Sequence, residues 1–73
     1  MKFSSEFEGA TMYVETVVKK LFLKAVEFRD DDNLLDSERD ALCEALERIG
    51  WDLGEEYGLS ARRIGYLAKE SGL

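Results

Sequence analysis

Leu53-Gly54-Glu55-Glu56-Tyr57-Gly58-Leu59-Ser60-Ala61-Arg62-Arg63-Ile64-Gly65-Tyr66-Leu67 is the stretch that decides how this chain folds. It reads as two short helices crossing at a tight corner. Gly54 is the small residue that lets the second helix approach the first. Gly58 stands where the first helix must stop, because a residue without Cβ takes positive φ at little cost. Leu59 plugs the corner, and Ser60 accepts a hydrogen bond from a free N–H of the next helix. Leu53, Tyr57, Leu59, Ile64 and Leu67 form the expected buried seam. The pattern is that of a helix-turn-helix.

Outward from the corner, the 73 residues are enough for one small domain. A chain of this size buries only about 60% of its unfolded surface, so a partner adds appreciably to stability. The expected fold is all-α, a four-helix domain ending in the helix-turn-helix. Its parts are an N-terminal arm and helix over 1–28, an acidic linker over 29–35, and the helical and helix-turn-helix part over 36–73.

Residues 1–9 are read either as a short arm packed through Phe3 and Phe7 or as an extra turn of helix. From Ala10 to Phe28 the residues Val14, Val17, Val18, Leu21, Phe22 and Ala25 recur at three- and four-residue steps, which is one helical face. Met12, Tyr13 and Leu23 fall off that stripe. Tyr13 and Leu23 either meet the N-terminal arm or belong to a partner-binding strip. Arg29-Asp30-Asp31-Asp32-Asn33 is polar and turn-prone. It lacks the alternating ligands, central Gly and closing Glu of a calcium loop, and so reads as a solvated linker.

The second helix is expected from Asp36 or Ser37, with Ser37-x-x-Asp40 as an approximate capping box and Leu34 or Leu35 stapling back. Ala41, Leu42, Ala45, Leu46 and Ile49 form its expected buried stripe, with Glu38, Glu44 and Glu47 toward water. Gly50 is expected to end it, Trp51 to open a short third helix to Tyr57, and the fourth to run from Ala61 to about Glu70.

The formal charge of −6 is uneven. Residues 1–29 carry five basic and four acidic side chains, residues 30–56 two and eleven, and residues 57–73 three and one. The acidity is therefore a central block, with a modestly basic tip after it. Strong acidity repels phosphate backbones and attracts basic protein surfaces.

The chain has no His and one cysteine, Cys43. The commonest general base, the usual triads and thiolate metal cages are thereby removed. Gly54, Gly58 and Gly65 open no phosphate cradle after a strand. The chain reads as non-enzymatic, with no catalytic, metal-ligating or cofactor-binding residue. No apolar run approaches the roughly 20 residues of a membrane span, and the N-terminus has no signal-peptide pattern, so a cytoplasmic address is expected.

Residues 53–67 resemble the helix-turn-helix of Cro-type phage repressors and of the promoter-reading fourth region of sigma factors. The likeness lies in Gly54, the turn at Gly58-Leu59-Ser60, and Ile64 with Leu67. Leu35-Asp36-Ser37-Glu38-Arg39-Asp40-Ala41-Leu42 also resembles the helix that leads into such a motif. The resemblance implies that Ser60, Ala61, Arg62, Gly65, Tyr66 and Lys69 face outward from the last helix. Here the pattern departs from a DNA reader: Ala61 and Gly65 offer no hydrogen-bonding side chain, leaving Arg62 for guanine.

Beside the helix-turn-helix as a packing device alone, two functional readings follow. One is a protein-binding regulator with Arg62, Arg63, Tyr66 and Lys69 as the contact tip. The other is a dimeric, sequence-specific DNA-binding regulator. In overall size and acidity the chain resembles small phage-encoded proteins that bind host RNA polymerase and inhibit initiation or promote antitermination. That resemblance implies bacterial RNA polymerase as partner and weak direct DNA binding. An anti-CRISPR protein or an antitoxin shares the same composition.

Overall fold

In the computed structural model the described residues are the backbone of 2–73 and the side chains of 13–73. Three α-helices follow one another: α1 over Lys2–Arg29, α2 over Asp36–Glu56 and α3 over Ala61–Ser71. Among the described residues there is no strand. The backbone is helical from Lys2; the expected packing of Phe3, Phe7 and Met12 falls on side chains outside the described residues.

On α1 the residues at the centre of the expected stripe are the ones most deeply buried. Val18, Phe22 and Ala25 have no exposed surface and Val14 very little. Val17 and Leu21, at the stripe's edge, are half-buried. Leu59, Ile64 and Leu67 complete the core, flanked by half-buried Trp51, Leu53, Ala68 and Leu73. Each large side chain so enclosed contributes about 1.5–3 kcal/mol relative to exposure.

The domain has three helices because α2 does not stop at Gly50. Gly50 keeps a right-handed backbone and is buried in mid-helix. A Cβ there would lie 2.6 Å from Phe22 Cε1. Gly50 is therefore a packing glycine, at which α1 and α2 close over the Phe22 ring. The expected short helix from Trp51 is the C-terminal part of one continuous α2. Glycine in a helix interior costs about 1 kcal/mol against alanine, and ring burial offsets it.

The expected stripe on α2 is also corrected. Ala41, Leu42, Ala45 and Ile49 are exposed, and only Leu46 is half-buried. Gly50 and Gly54 are the buried residues of this helix, and Cys43, Leu46 and Glu47 lie half-buried on nearby turns. Glu47, expected in water, is thus partly covered. α1 approaches along the glycine side, which leaves the Leu42–Ile49 side open.

At its start α2 uses Leu35 as N-cap, not Asp36 or Ser37. Glu38 Oε1 accepts from the Leu35 N–H at 3.0 Å, which is the reciprocal half of a capping box. Leu34 is the half-buried member of the leucine pair, while Leu35 is exposed. In the linker, Asp31 Oδ1 accepts from the Asn33 N–H at 2.9 Å to form an Asx turn. Arg39 reaches back to Asp36 and to Asp32.

α2 and α3 end in the same way. Gly58 N–H donates to Glu55 O at 3.1 Å and Leu59 N–H to Gly54 O at 2.8 Å; Gly72 N–H donates to Lys69 O at 3.1 Å and Leu73 N–H to Ala68 O at 3.0 Å. Both are Schellman turns, with a left-handed glycine at φ 89° or 100° followed by a leucine. The leucine side chain packs on the core in each case. One short rule, Gly then Leu, stops both helices.

Candidate functional site

The corner between α2 and α3 is built by Gly54, Gly58, Leu59 and Ser60. A Cβ on Gly54 would lie 2.8 Å from both Ile64 Cδ1 and Cγ1, so the two helices touch through that missing atom. Gly58 turns the chain and Leu59 is buried beneath it. Ser60 then caps α3, its Oγ accepting from the Arg63 N–H at 3.1 Å. Tyr57, expected in the seam, is 56% exposed. As the C-cap of α2 it leaves the corner and lines a groove with Tyr13 on α1.

Four side chains of α3 form the expected contact tip, and they separate into two groups. Arg62, Tyr66 and Lys69 are exposed at steps of four and three, which is one face of the helix. Among the described residues, Arg62 and Lys69 make no ion pair. Arg63, about 100° further round, turns to α1. Its Nε donates to Glu15 Oε2 at 2.7 Å and an Nη to Glu15 Oε1 at 3.1 Å. This is a bidentate fork on a carboxylate that α1 holds in place. The Arg63 guanidinium also lies 5.1 Å from the centre of the Tyr66 ring.

Glu70 extends the network. It accepts from the Tyr66 hydroxyl at 3.0 Å, and its other oxygen pairs with Lys19 on α1 at 3.4 Å. The α1–α3 edge is thus closed by Glu15, Lys19, Arg63 and Glu70. The hydrogen bond from Arg63, aided by its positive charge, holds the Glu15 carboxyl below its ordinary range against the opposing effect of burial. The same bond raises Arg63. Glu15 and Glu70 have no local signature in the sequence, since each finds its cation about fifty residues away along the chain.

Gly65 occupies the middle of α3 and is half-buried. Among the described residues, the only atom outside α3 within 4 Å of a Cβ built there is Trp51 Cη2, at 3.9 Å. Packing leaves room for a methyl group, so the bare backbone is not required by the fold. With Ala61 one turn earlier, Gly65 gives a low strip beside Arg62, Tyr66 and Lys69.

Concavities also lie elsewhere among the described residues. A groove of about 300 Å³ between α1 and α2 is lined by Tyr13, Val14, Val17, Leu53 and Tyr57, and is apolar. A broader depression of about 710 Å³ runs along α2 over Ala41, Glu44, Ala45, Glu47, Arg48 and Trp51. Cys43 is half-buried, and burial with the nearby Glu47 pushes its thiol up, away from a reactive thiolate. Among the described residues, no helix is long and apolar enough to cross a membrane. No family model, curated protein or solved structure matches the chain.

Proposed function

We propose that this protein is a non-enzymatic regulator that acts by binding another protein through the exposed face of α3. Support comes above all from the division of the α3 cations: Arg63 is held by Glu15, and Arg62 and Lys69 remain on either side of Tyr66. Two cations are few for a phosphate backbone, since duplex binding commonly draws on six to ten phosphate contacts. They lie, moreover, on a chain of net charge −6 with its acids concentrated in α2 and the linker before it. Arg and Tyr are favoured anchors of protein interfaces. The low strip of Ala61 and Gly65 suits the close approach of a partner helix bearing acidic groups.

The first partner to test is bacterial RNA polymerase, on the likeness of the corner to the fourth region of sigma factors. In this reading the protein occupies a surface of the polymerase and inhibits initiation without chemistry, in the bacterial cytoplasm. The chain is mixed with purified polymerase holoenzyme, and separately with duplex DNA fragments near physiological ionic strength, and followed by co-migration. Co-migration with polymerase that is lost in Arg62→Glu and Tyr66→Ala is expected, with no retention of duplex. Sequence-selective retention of DNA that Arg62→Ala removes, without polymerase binding, overturns it in favour of a dimeric DNA reader.

A further inference from the structure

The open side of the α1–α2 pair carries an apolar seam that none of the described residues covers. On α2, Leu42, Leu46, Ile49 and Leu53 follow steps of four, three and four, with Leu35 one heptad before Leu42. That is the spacing of a helix seeking a second helix along its length. α1 covers only one flank, so Leu46 and Leu53 are half-buried while Leu35, Leu42 and Ile49 are 69%, 37% and 51% exposed. On α1 the facing row is Tyr13, Val17, Lys20 and Lys24, at the same steps. Tyr13 is 71% exposed and lines the groove with Leu53 and Tyr57. Tyr13 and Val17 stand about 200° round the helix from Glu15 and Lys19, which face α3. The seam and the α3 face are therefore on different sides of the molecule.

We propose that this face is the interface of a two-fold symmetric homodimer, in which α1 of each copy lies antiparallel against α2 of the other in a four-helix arrangement. Three observations select a second copy as the occupant. First, the two rims of the face differ in charge: the α1 rim carries Lys20 and Lys24, of which Lys24 pairs with Glu27 at 3.5 Å, and the α2 rim carries Asp52 and Glu56 beside Ile49. A partner with two acidic rims, or two α2 helices set against each other, would place like charges together.

Second, the heights agree. Phe22 meets Gly50 across the antiparallel α1–α2 pair. Lys20 is two residues from Phe22 and Asp52 two residues from Gly50, so both stand at one level. A two-fold axis parallel to the helices preserves level and sets Lys20 of one copy opposite Asp52 of the other, twice. Among the described residues neither side chain has an ion-pair partner within its own chain.

Third, the size fits. The 21 residues of α2 run about 30 Å, and two helices about 10 Å wide give a footprint of about 600 Å². Side-chain relief brings this near the roughly 800 Å² per partner of a stable interface. The symmetry is closed, so the assembly stops at two.

Sedimentation equilibrium on the full chain across the micromolar range tests this. Twice the 8.3 kDa chain mass is expected. Ile49→Glu, at an exposed position, is expected to give the single-chain mass with an unchanged helical circular dichroism spectrum. Lys20→Glu and Asp52→Lys are each expected to weaken association about tenfold, and the combined exchange to restore it to within about threefold. A wild-type mass of one chain throughout the range overturns the proposal. So does a mass above two chains, a dimer indifferent to Ile49→Glu, or a double exchange no tighter than its single variants.

Discussion

Arg63 on α3 grips both carboxylate oxygens of Glu15 on α1, at 2.7 and 3.1 Å, from 48 positions along the chain. One consequence is for the outward face of α3, since it leaves Arg62 and Lys69 as the cations there. The other is structural, since with Lys19 and Glu70 it ties the last helix to the first. Both halves of this link are partly exposed, so it orients α3 more than it holds the core together.

The link has a pH signature. The Glu15 carboxyl titrates below its ordinary value of 4.5 in the folded chain and near that value when unfolded. Between those two values the unfolded state binds more protons, so stability rises with pH there. The contribution is complete above the unfolded value and lost as pH falls through the folded one. Thermal unfolding of wild type and Glu15→Gln is expected to differ at neutral pH and to converge in acid below the folded value. A difference in melting temperature unchanged across that range would show that Glu15 acts by packing and not by charge.

Gly50→Ala tests the crossing of α1 and α2. A Cβ 2.6 Å from Phe22 Cε1 forces the ring, which has no exposed surface, or the helices to move. Overpacking of this kind costs about 1–3 kcal/mol, which exceeds the roughly 1 kcal/mol gained in helix propensity. Urea unfolding is expected to give a net loss, and Phe22→Leu in the same chain a partial recovery. A Gly50→Ala chain more stable than wild type would return Gly50 to a role in local backbone freedom.

Gly65→Ala and Gly58→Ala are expected to move stability in opposite directions. At Gly65 the nearest outside atom is 3.9 Å away, so alanine recovers up to about 1 kcal/mol of helix propensity. At Gly58 there is open space but φ is +89°, and a left-handed alanine costs about 1–2 kcal/mol. Chemical denaturation of the two variants decides this. If the α3 face binds as proposed, Gly65→Ala is also expected to weaken partner binding while stabilising the free chain.

Cys43 is expected to alkylate slowly. Burial and the carboxylate of Glu47 raise its thiol above the ordinary range, and the thiolate is the nucleophile. Iodoacetamide labelling followed by mass is expected to be slower for the native chain than for the same chain in urea. Equal rates would mean that the turn of α2 around Cys43 opens freely.

The corner was fixed by local chemistry and is legible in the residues alone. A left-handed position needs glycine, the next residue must be apolar to cover the turn, and a hydroxyl must meet the free N–H groups of α3. Gly58, Leu59 and Ser60 supply these in order, and Gly72-Leu73 repeats the first two. The buried centre of α1 is also set by spacing, because only one helical face carries Val14, Val18, Phe22 and Ala25. Gly50 could not be read this way: a glycine that ends a helix and one that admits an aromatic ring look alike until the ring is seen to arrive. The α2 stripe failed for a related reason. Periodicity shows that a helix has an apolar face, but which flank a neighbour covers depends on where that neighbour crosses. Tertiary structure alone decided that α1 crosses at Gly50 and α3 packs on Gly54, that Ile49 is left open, and that Arg63 pairs with Glu15, because these depend on contacts between residues far apart in the chain.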